Sequence, residues 1–566
     1  MTDRYLIRER NLEVGNTALR PPKRSTRFVA LSIVGLVAIV GFVLNRGGSD
    51  PNPPTVATLD PVKRFCGLDE IFLERLRRGH HPVRSEDITL VPKEPNFVGT
   101  FDVTSHSGPW DYIQNIPLVL YGPGVIEPAG VVEAEADLAD IYPTIGRLLG
   151  LDLPPADGQV LAEGVPTRPP TAPKLVVVIV WDGAGRKTLE RWPDAWPHLA
   201  DMEQNGVSYV NASVGSSPAV TSVAHSTLAT GTWPNKHGIA GNELRAANGL
   251  LRPTFADLAT DQLKRPTFSD LVDNRFGNAS QVGLLAWTRW HVGLLSHGTA
   301  YPGGDADQMA MMHYNGEVLV HGNERLFEVP EEIEKAASID DLIHSLDRED
   351  GAVDGEWLGN EISLPSGAAP WTEYSNPAWA EYQTELALKM LENGAYGQDE
   401  IPDLFLANFK MTDLAGHRWG IESKETEAMV EAQDESLGSI VRYLDENVGE
   451  YVVVVTADHG ASPLPESTGA WPISQGELIR DVDAHFEVPN DKSLVESTAT
   501  FGIYLNRDLA KSLKVSAGDV ARFLNGYTIA QNWAESELPD GYEGRGDELV
   551  MSAAFPSDTI DNMGAC

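Results

Sequence analysis

Three apolar, β-branched runs in this chain end in carboxylates, and two of those ends also carry a histidine. Leu175–Trp181 (LVVVIVW) leads into Asp182. Asp403–Lys410 (DLFLANFK) leads into Asp413 and His417 within KMTDLAGH. Tyr451–Thr456 (YVVVVT) leads into Asp458 and His459. Unbroken apolar runs of this length read as strands buried on both faces, the setting of a parallel sheet. Ile88–Val91 and Pro117–Tyr121 read the same way. Helical patterns separate some of the runs: Ala378–Asn393, and Lys424–Val448 with Met429, Ala432, Leu437, Ile440, Val441 and Leu444 on its apolar face. This alternation predicts an α/β fold with a mainly parallel central sheet and helices on both faces. Functional residues of such sheets gather at the carboxyl ends of the strands.

Taken singly, each strand end has an ordinary explanation. Asp-Gly after a strand makes turns, and an Asp/His pair serves as a cap. Three such ends in one sheet form a converging donor set of carboxylate oxygens and imidazole nitrogens, which suits zinc.

The 566 residues allow one large domain with insertions, or two domains, and 42% apolar content supports a sizeable core. The net charge is −39, from 82 acidic and 43 basic residues. Residues 1–46 carry +5, which leaves −44 on the rest and argues against a nucleic-acid duplex as partner. Phe28–Leu44 (FVALSIVGLVAIVGFVL) is uncharged and follows Arg20, Lys23, Arg24 and Arg27. It is long enough to span a bilayer, with the basic tail 1–27 in the cytoplasm and the remainder outside. A cleaved signal peptide is the other reading, but Leu44-Asn45-Arg46 makes a poor cleavage site, so a retained single-pass anchor in the cell membrane is expected. Residues 45–60 form a linker, and 152–173 a second Pro-rich stretch. Residues 61–151 and 174–566 hold the folded parts, with 243–400 expected as an inserted cap. The two cysteines, Cys66 and Cys566, are either a disulfide suited to an oxidising compartment or two unrelated thiols.

The segment SSPAVTSVAHSTLATGTWPNKHGIAGN (216–242) gives the strand ends a context. It resembles the nucleophile segment of the type I phosphodiesterase/nucleotide pyrophosphatase branch of the alkaline phosphatase superfamily. Thr221, His225, Leu228, Thr230, Gly231, Pro234, His237, Gly238 and Ile239 match the pattern, while T-S-V-A-H replaces the more usual T-F-P-N-H. The resemblance implies a two-metal phosphoesterase acting on a small phosphoester substrate, with Thr221 as nucleophile and Asn242 on a phosphate oxygen. One Zn2+ would be held by Asp182, Asp458, His459 and Thr221. A second, or another divalent ion, would be held by Asp413, His417 and one further histidine. A phosphothreonine intermediate follows from the same likeness. His225 and His237 read as structural.

That further histidine normally lies well beyond the Asp-His-Gly motif. The only histidine after His459 is His485, in the unlike context DVDAHFEVPND. Residues 84–161, however, resemble the superfamily's C-terminal portion. They carry RSEDITL, His106, Pro117, Gly122 and Gly124, then DIYPTIGRLLG with Asp140, Pro143, Thr144, Leu148, Leu149 and Gly150. The likeness implies a circular permutation that makes His106 the last ligand and brings Cys66 and Cys566 together at the old connection point. In AWTRWH, Trp287 and Arg289 align with a K-x-R that grips phosphate oxygens in related monoesterases. The missing lysine favours phosphodiester or pyrophosphate substrates, with Trp287 either facing the second ester substituent or lying in the core. Two alternatives stand beside hydrolysis: a phospho-head-group transferase of the same superfamily, and a non-catalytic metal-binding ectodomain. A sulfatase is disfavoured by the absence of C-x-P-x-R.

Overall fold

Buried on every residue, the strand Leu175–Trp181 lies at the centre of a ten-stranded sheet. The structure, a computed structural model, describes residues 59–566 apart from 100–101, 168–171, 296, 313–317, 320–322 and 363–374. The described residues fall within one compact unit, Pro54–Cys566. Among them no helix is long and apolar enough to cross a membrane, and the expected anchor Phe28–Leu44 lies outside them.

In chain order the strands used below are β1 (Ile88–Pro92), β2 (Leu118–Tyr121), β3 (Gly130–Asp137), β4 (Leu175–Trp181), β5 (Val207–Ser213), β6 (Val282–Ala286), β7 (Asp307–Met312), β8 (Val318–Leu319), β9 (Phe327–Glu328), β10 (Asp403–Phe409), β11 (Tyr451–Thr456), β12 (Val495–Ala499), β13 (Gly502–Leu505) and β14 (Met551–Pro556). The large sheet has the order β8-β7-β6-β10-β4-β11-β2-β5-β3, with β9 beside β7. From β7 to β11 every pairing is parallel. Strand β2 runs against both its neighbours, and β5 and β3 are parallel to each other. The helices named below are α1 (Ile141–Leu149), α2 (Thr221–Thr230), α3 (Phe268–Phe276), α4 (Pro377–Asn393), α5 (Met411–Trp419) and α6 (Lys424–Asn447). Helices α4 and α6 pack together, with Thr384 Oγ1 donating to Ser436 Oγ at 2.6 Å. The amphipathic run of α6 starts where Ser423 accepts from the Thr426 N–H.

A four-stranded antiparallel sheet, β12-β13-β1-β14, has its own core, including Ile88, Leu90, Ile503, Leu505, Leu524 and Ala554. Cys66 and Cys566 are joined by a disulfide with Cα atoms 5.3 Å apart.

Three expectations need correction. Ile88–Val91 is a strand, but of the small antiparallel sheet: a strand covered on both faces reads alike in either setting. Pro117–Tyr121 does enter the large sheet, as β2, but antiparallel. Residues 243–400 do not all lie outside the sheet, because β6 and β7 extend its parallel block. VGLLA is short, and DQMAMM has no β-branched residue, so neither announces a strand.

Candidate active site

Strand β4 is flanked by β10 and β11 in matched register, with Phe409 beside Trp181 and Thr456 beside Val180. Asp182, Lys410 with Asp413 in the first turn of α5, and Asp458 therefore emerge at one end of the sheet. They sit so close that residue 183 must be glycine. Its φ is 71°, and a Cβ there would lie 2.7 Å from the Asp413 Cα. The Gly183 N–H donates to Asp458 Oδ1 at 3.0 Å.

Histidines complete the cluster. His459 Nε2 is 3.7 Å from Asp182 Oδ1, 3.9 Å from Asp413 Oδ1 and 3.6 Å from Asp458 Oδ2. His417 Nε2 is 3.4 Å from Asp413 Oδ1. His106 stacks on His459 with ring centroids 3.8 Å apart and lies 5.5 Å from His417. Ligand atoms of Asp182, Asp458 and His459 lie within 4.8 Å of one another, as do those of His106, Asp413 and His459. His459 thus faces both groups, and His417 joins the second through Asp413.

Each of these imidazoles has Nδ1 against a backbone carbonyl: His417 on Thr104 at 3.0 Å, His106 on Ala219 at 2.8 Å and His459 on Gly460 at 3.0 Å. A carbonyl only accepts, so Nδ1 carries the hydrogen, and Nε2 of His417 and of His459 faces the carboxylates. Metal-binding histidines are oriented in this way. Burial, with the neighbouring histidines, lowers the His106 pKa well below the usual range, and burial also lowers that of His459. Burial opposes protonation of His417 too, but Asp413 outweighs it and holds the pKa at about 9. Asp458 Oδ2 and His459 Nε2 are buried without a hydrogen-bond partner among the described residues. Unpartnered buried donors of O and N type, held from behind by backbone, fit a zinc-like divalent cation.

Thr221 is the first residue of α2, a wholly buried helix that ends at Gly231, whose φ of 61° caps it. Ser222 donates to Asn242 Oδ1 from its N–H at 3.2 Å and its hydroxyl at 2.8 Å. That engages the Asn242 oxygen with the residue that follows Thr221. His225 donates from Nδ1 to Thr221 O at 2.7 Å and accepts from Asn408 Nδ2 at 3.0 Å. Asn408 also donates to Asp182 Oδ2 at 3.1 Å.

Sequence reasoning missed Lys410. Its buried ammonium lies 2.8 Å from Asp182 Oδ1, 2.7 Å from Asp413 Oδ2 and 3.4 Å from Thr221 Oγ1. Burial would deprotonate it, but Asp182, Asp413 and Asp458 outweigh that and raise its pKa. Burial likewise acts to raise Asp182 and Asp413, yet Lys410 holds both below the ordinary carboxylate range. Asp458 is pushed up, by burial and then by Asp182. The available signal was a lysine three residues before Asp413. His291 was missed as well: it accepts from Thr288 N at Nδ1 and donates from Nε2 to Asp182 Oδ2 at 3.1 Å.

Trp287 is fully buried and meets Trp379 edge-on at 5.2 Å, so of the two readings offered for it the core is correct. Arg289 is exposed, over the Trp290 ring at 5.7 Å. His485 packs on Phe523 at 4.4 Å, away from the cluster.

A mostly parallel sheet that converges these carboxylates and imidazoles beside a helix-borne threonine belongs to the metal-dependent phosphoric ester hydrolases of the alkaline phosphatase superfamily. Residues 176–524 match the type I phosphodiesterase/nucleotide pyrophosphatase family, and the chain belongs to that family. It is 26% identical over 175 residues to the alkaline phosphatase PhoD of Zymomonas mobilis, covering 29% of this chain and 30% of PhoD. It is 22% identical over 396 residues to the alkaline phosphatase PafA of Elizabethkingia meningoseptica, covering 62% of this chain and 72% of PafA. The crystal structure of wild-type PafA superposes with a TM-score of 0.48 at 18% identity, over 68% of this chain and 84% of PafA.

Proposed function

We propose that this protein is a membrane-anchored, extracytoplasmic hydrolase of phosphodiester or pyrophosphate bonds, acting through a phosphothreonine on Thr221. Two zinc ions would be held by Asp182, Asp458 and His459, and by Asp413, His417 and His106. The observation that supports this best is the position of Thr221 Oγ1, 3.4 Å from an ammonium that itself rests on Asp182 and Asp413, one carboxylate from each ligand set. Zinc bound there would supply Lewis acidity and lower the pKa of a hydroxyl or water. The chain's own residues position the rest. The amino end of α2 and the Asn242 amide face the charge that develops on the phosphoryl oxygens. Thr221 Oγ1 bonds to phosphorus, and the ester oxygen leaves with the bonding pair and takes up the proton that Thr221 gives up. Water then displaces Thr221 from phosphorus, one of its protons returns to Thr221 Oγ1, and the phosphoryl product departs.

Phosphomonoester hydrolysis is a second reading. It is favoured by the alkaline phosphatase names of PhoD and PafA and by the burial of Trp287, which removes the wall expected against a second ester substituent. The test is turnover of 4-nitrophenyl phosphate and bis(4-nitrophenyl) phosphate, with zinc supplied, by wild type, Thr221→Ser and Thr221→Ala. Acid quench followed by peptide mapping should find a phosphoryl group on Thr221 in the wild type. Full activity in Thr221→Ala would remove the nucleophile assignment, and the ratio of the two substrates decides between the readings.

The same reading includes the circular permutation. Supporting it, residues 61–151 supply β2 and β3 to the large sheet and His106 to the ligand cluster, and the Cys66–Cys566 bridge ties the two ends together. A chain starting at Lys174, with residues 61–151 moved behind residue 566 on a linker, should fold and turn over substrate. Failure of that chain to fold would count against the permutation. The anchor is supported by Phe28–Leu44 and its basic flank, and the chain should stay with membranes through a carbonate wash. Release into the supernatant would refute it.

A further inference from the structure

A second cluster of potential ligands lies in the region that extends the parallel block. Asp273 sits in the last turn of α3, Asp307 is the first residue of β7, and Asp305 precedes it in the loop Gly303-Gly304-Asp305-Ala306. One oxygen from each carboxylate lies within 4.8 Å of the others.

Proximity of acidic groups alone would mean little. The telling atoms are those of Asp273, which is 1% exposed, with neither carboxylate oxygen hydrogen-bonded among the described residues. Its place near a helix carboxyl end adds the unfavourable end of the dipole. The charged groups that bear on it are Asp305 and Asp270, both anions. Asp270, one turn earlier, is already satisfied by the Thr267 N–H at 2.8 Å, the His297 N–H at 2.9 Å and His297 Nδ1 at 2.8 Å. An unpartnered buried carboxylate beside another carboxylate is destabilising unless it is protonated or meets a cation. Burial first, then Asp305 and Asp270, push the Asp273 carboxyl up to about 7, so the fold provides no compensation of its own.

We propose that Asp273, Asp305 and Asp307 bind a calcium ion that fastens α3 to the start of β7. The donors are all oxygen, which disfavours zinc and suits a hard cation. Exposed Asp305 leaves room for water, and the ligands come from a helix, a loop and a strand. Such an irregular set fits the six to eight ligands and flexible geometry of calcium better than the strict octahedron of magnesium. The site is distinct from the catalytic cluster and shares no residue with it. By its position it is a structural clamp on β7 and its parallel neighbour β6.

The experiment uses the full chain, with zinc fixed by a metal buffer so that the catalytic cluster does not change. Calcium chloride is titrated while the thermal midpoint is read, with magnesium chloride in parallel and 45Ca binding measured by equilibrium dialysis. The wild type should bind one calcium with a dissociation constant of roughly 10⁻⁴–10⁻³ M and show a rising midpoint. Asp305→Asn changes only an exposed side chain and should lose both responses, while its phosphoesterase activity at saturating zinc stays at the wild-type level. The proposal is overturned if the wild type binds no calcium, or if Asp305→Asn binds and responds as the wild type does. A magnesium response as large as that of calcium, and lost in Asp305→Asn, would overturn the assignment of the ion.

Discussion

Replacing Lys410 by methionine removes a buried ammonium that touches a carboxylate of each candidate ligand set and keeps most of the side-chain volume. In the metal-free protein Asp182 and Asp413 then face each other with no ammonium between them, and the formal charge of Lys410 and these two carboxylates falls from −1 to −2. Removing one partner of a buried ion pair destabilises by about 3–5 kcal/mol. Lys410 touches two carboxylates, at 2.8 Å and 2.7 Å, so the loss belongs toward the upper end of that range. A divalent cation supplies the missing charge, so the zinc-loaded variant should lose far less. By linkage the difference appears as tighter binding, and at about 1.4 kcal/mol per tenfold the gain is at most about three and a half orders of magnitude in apparent zinc affinity. Two measurements check this: urea midpoints of chelator-stripped and zinc-loaded protein, and zinc affinity by competition with a chromophoric chelator. If the stripped variant unfolds with the wild type, or binds zinc more weakly, Lys410 is not an internal counter-ion in competition with metal.

Glu86 is fully buried, with Oε1 taken by Thr89 at 2.9 Å and Oε2 unpartnered, and burial lifts its pKa from 4.5 to about 7. The folded state holds this proton more tightly, so its contribution is greatest below the unfolded value of 4.5 and is lost as pH rises toward 7. Glu86→Gln should therefore stabilise the protein by up to about 3 kcal/mol at pH 8 and flatten the pH 4.5–7 slope of urea-unfolding free energy, and an unchanged slope would discard the argument. Trp287→Ala should cost about 3–5 kcal/mol as a buried aromatic truncation, while the diester-to-monoester ratio of kcat/KM stays unchanged, in Trp287→Phe as well. A shifted ratio in Trp287→Phe would return that residue to the substrate site.

The strands that lead into the carboxylate–histidine cluster were legible because full burial leaves them almost wholly apolar, with Asp403 and Asn408 the polar positions of β10. Leu175–Trp181 and Tyr451–Thr456 have in the structure the bounds they have as apolar runs. The same property concealed direction and sheet membership, since Ile88–Pro92 and Leu118–Tyr121 are buried runs whose hydrogen-bond partners lie far away in sequence. Lys410 and His291 were not legible, because their meaning depends on which carboxylate lies across the sheet end, Asp182 in both cases. Trp287 was ambiguous for a different reason. Aromatic residues beside a site line pockets and fill cores alike, and only the contact with Trp379 separates the two.

The clustered histidines also show how far the two parts of the chain depend on each other. His417, in the main part, is oriented by the Thr104 carbonyl of the N-terminal part, and His106, in the N-terminal part, by the Ala219 carbonyl two residues before Thr221. Ser105 and Ser462 exchange further hydrogen bonds: the Ser462 N–H donates to Ser105 O at 2.7 Å and the Ser105 N–H to Ser462 Oγ at 3.1 Å. Each part therefore fixes an imidazole of the other, and neither part alone presents the complete donor set. Metal affinity should then report on docking of the N-terminal segment as directly as on the ligands themselves. A substitution that loosens the 104–106 loop without touching a ligand, such as Ser462→Ala, would weaken zinc binding by misaiming His106 and His417, because an imidazole that is not held from behind loses its pre-set direction toward the ion.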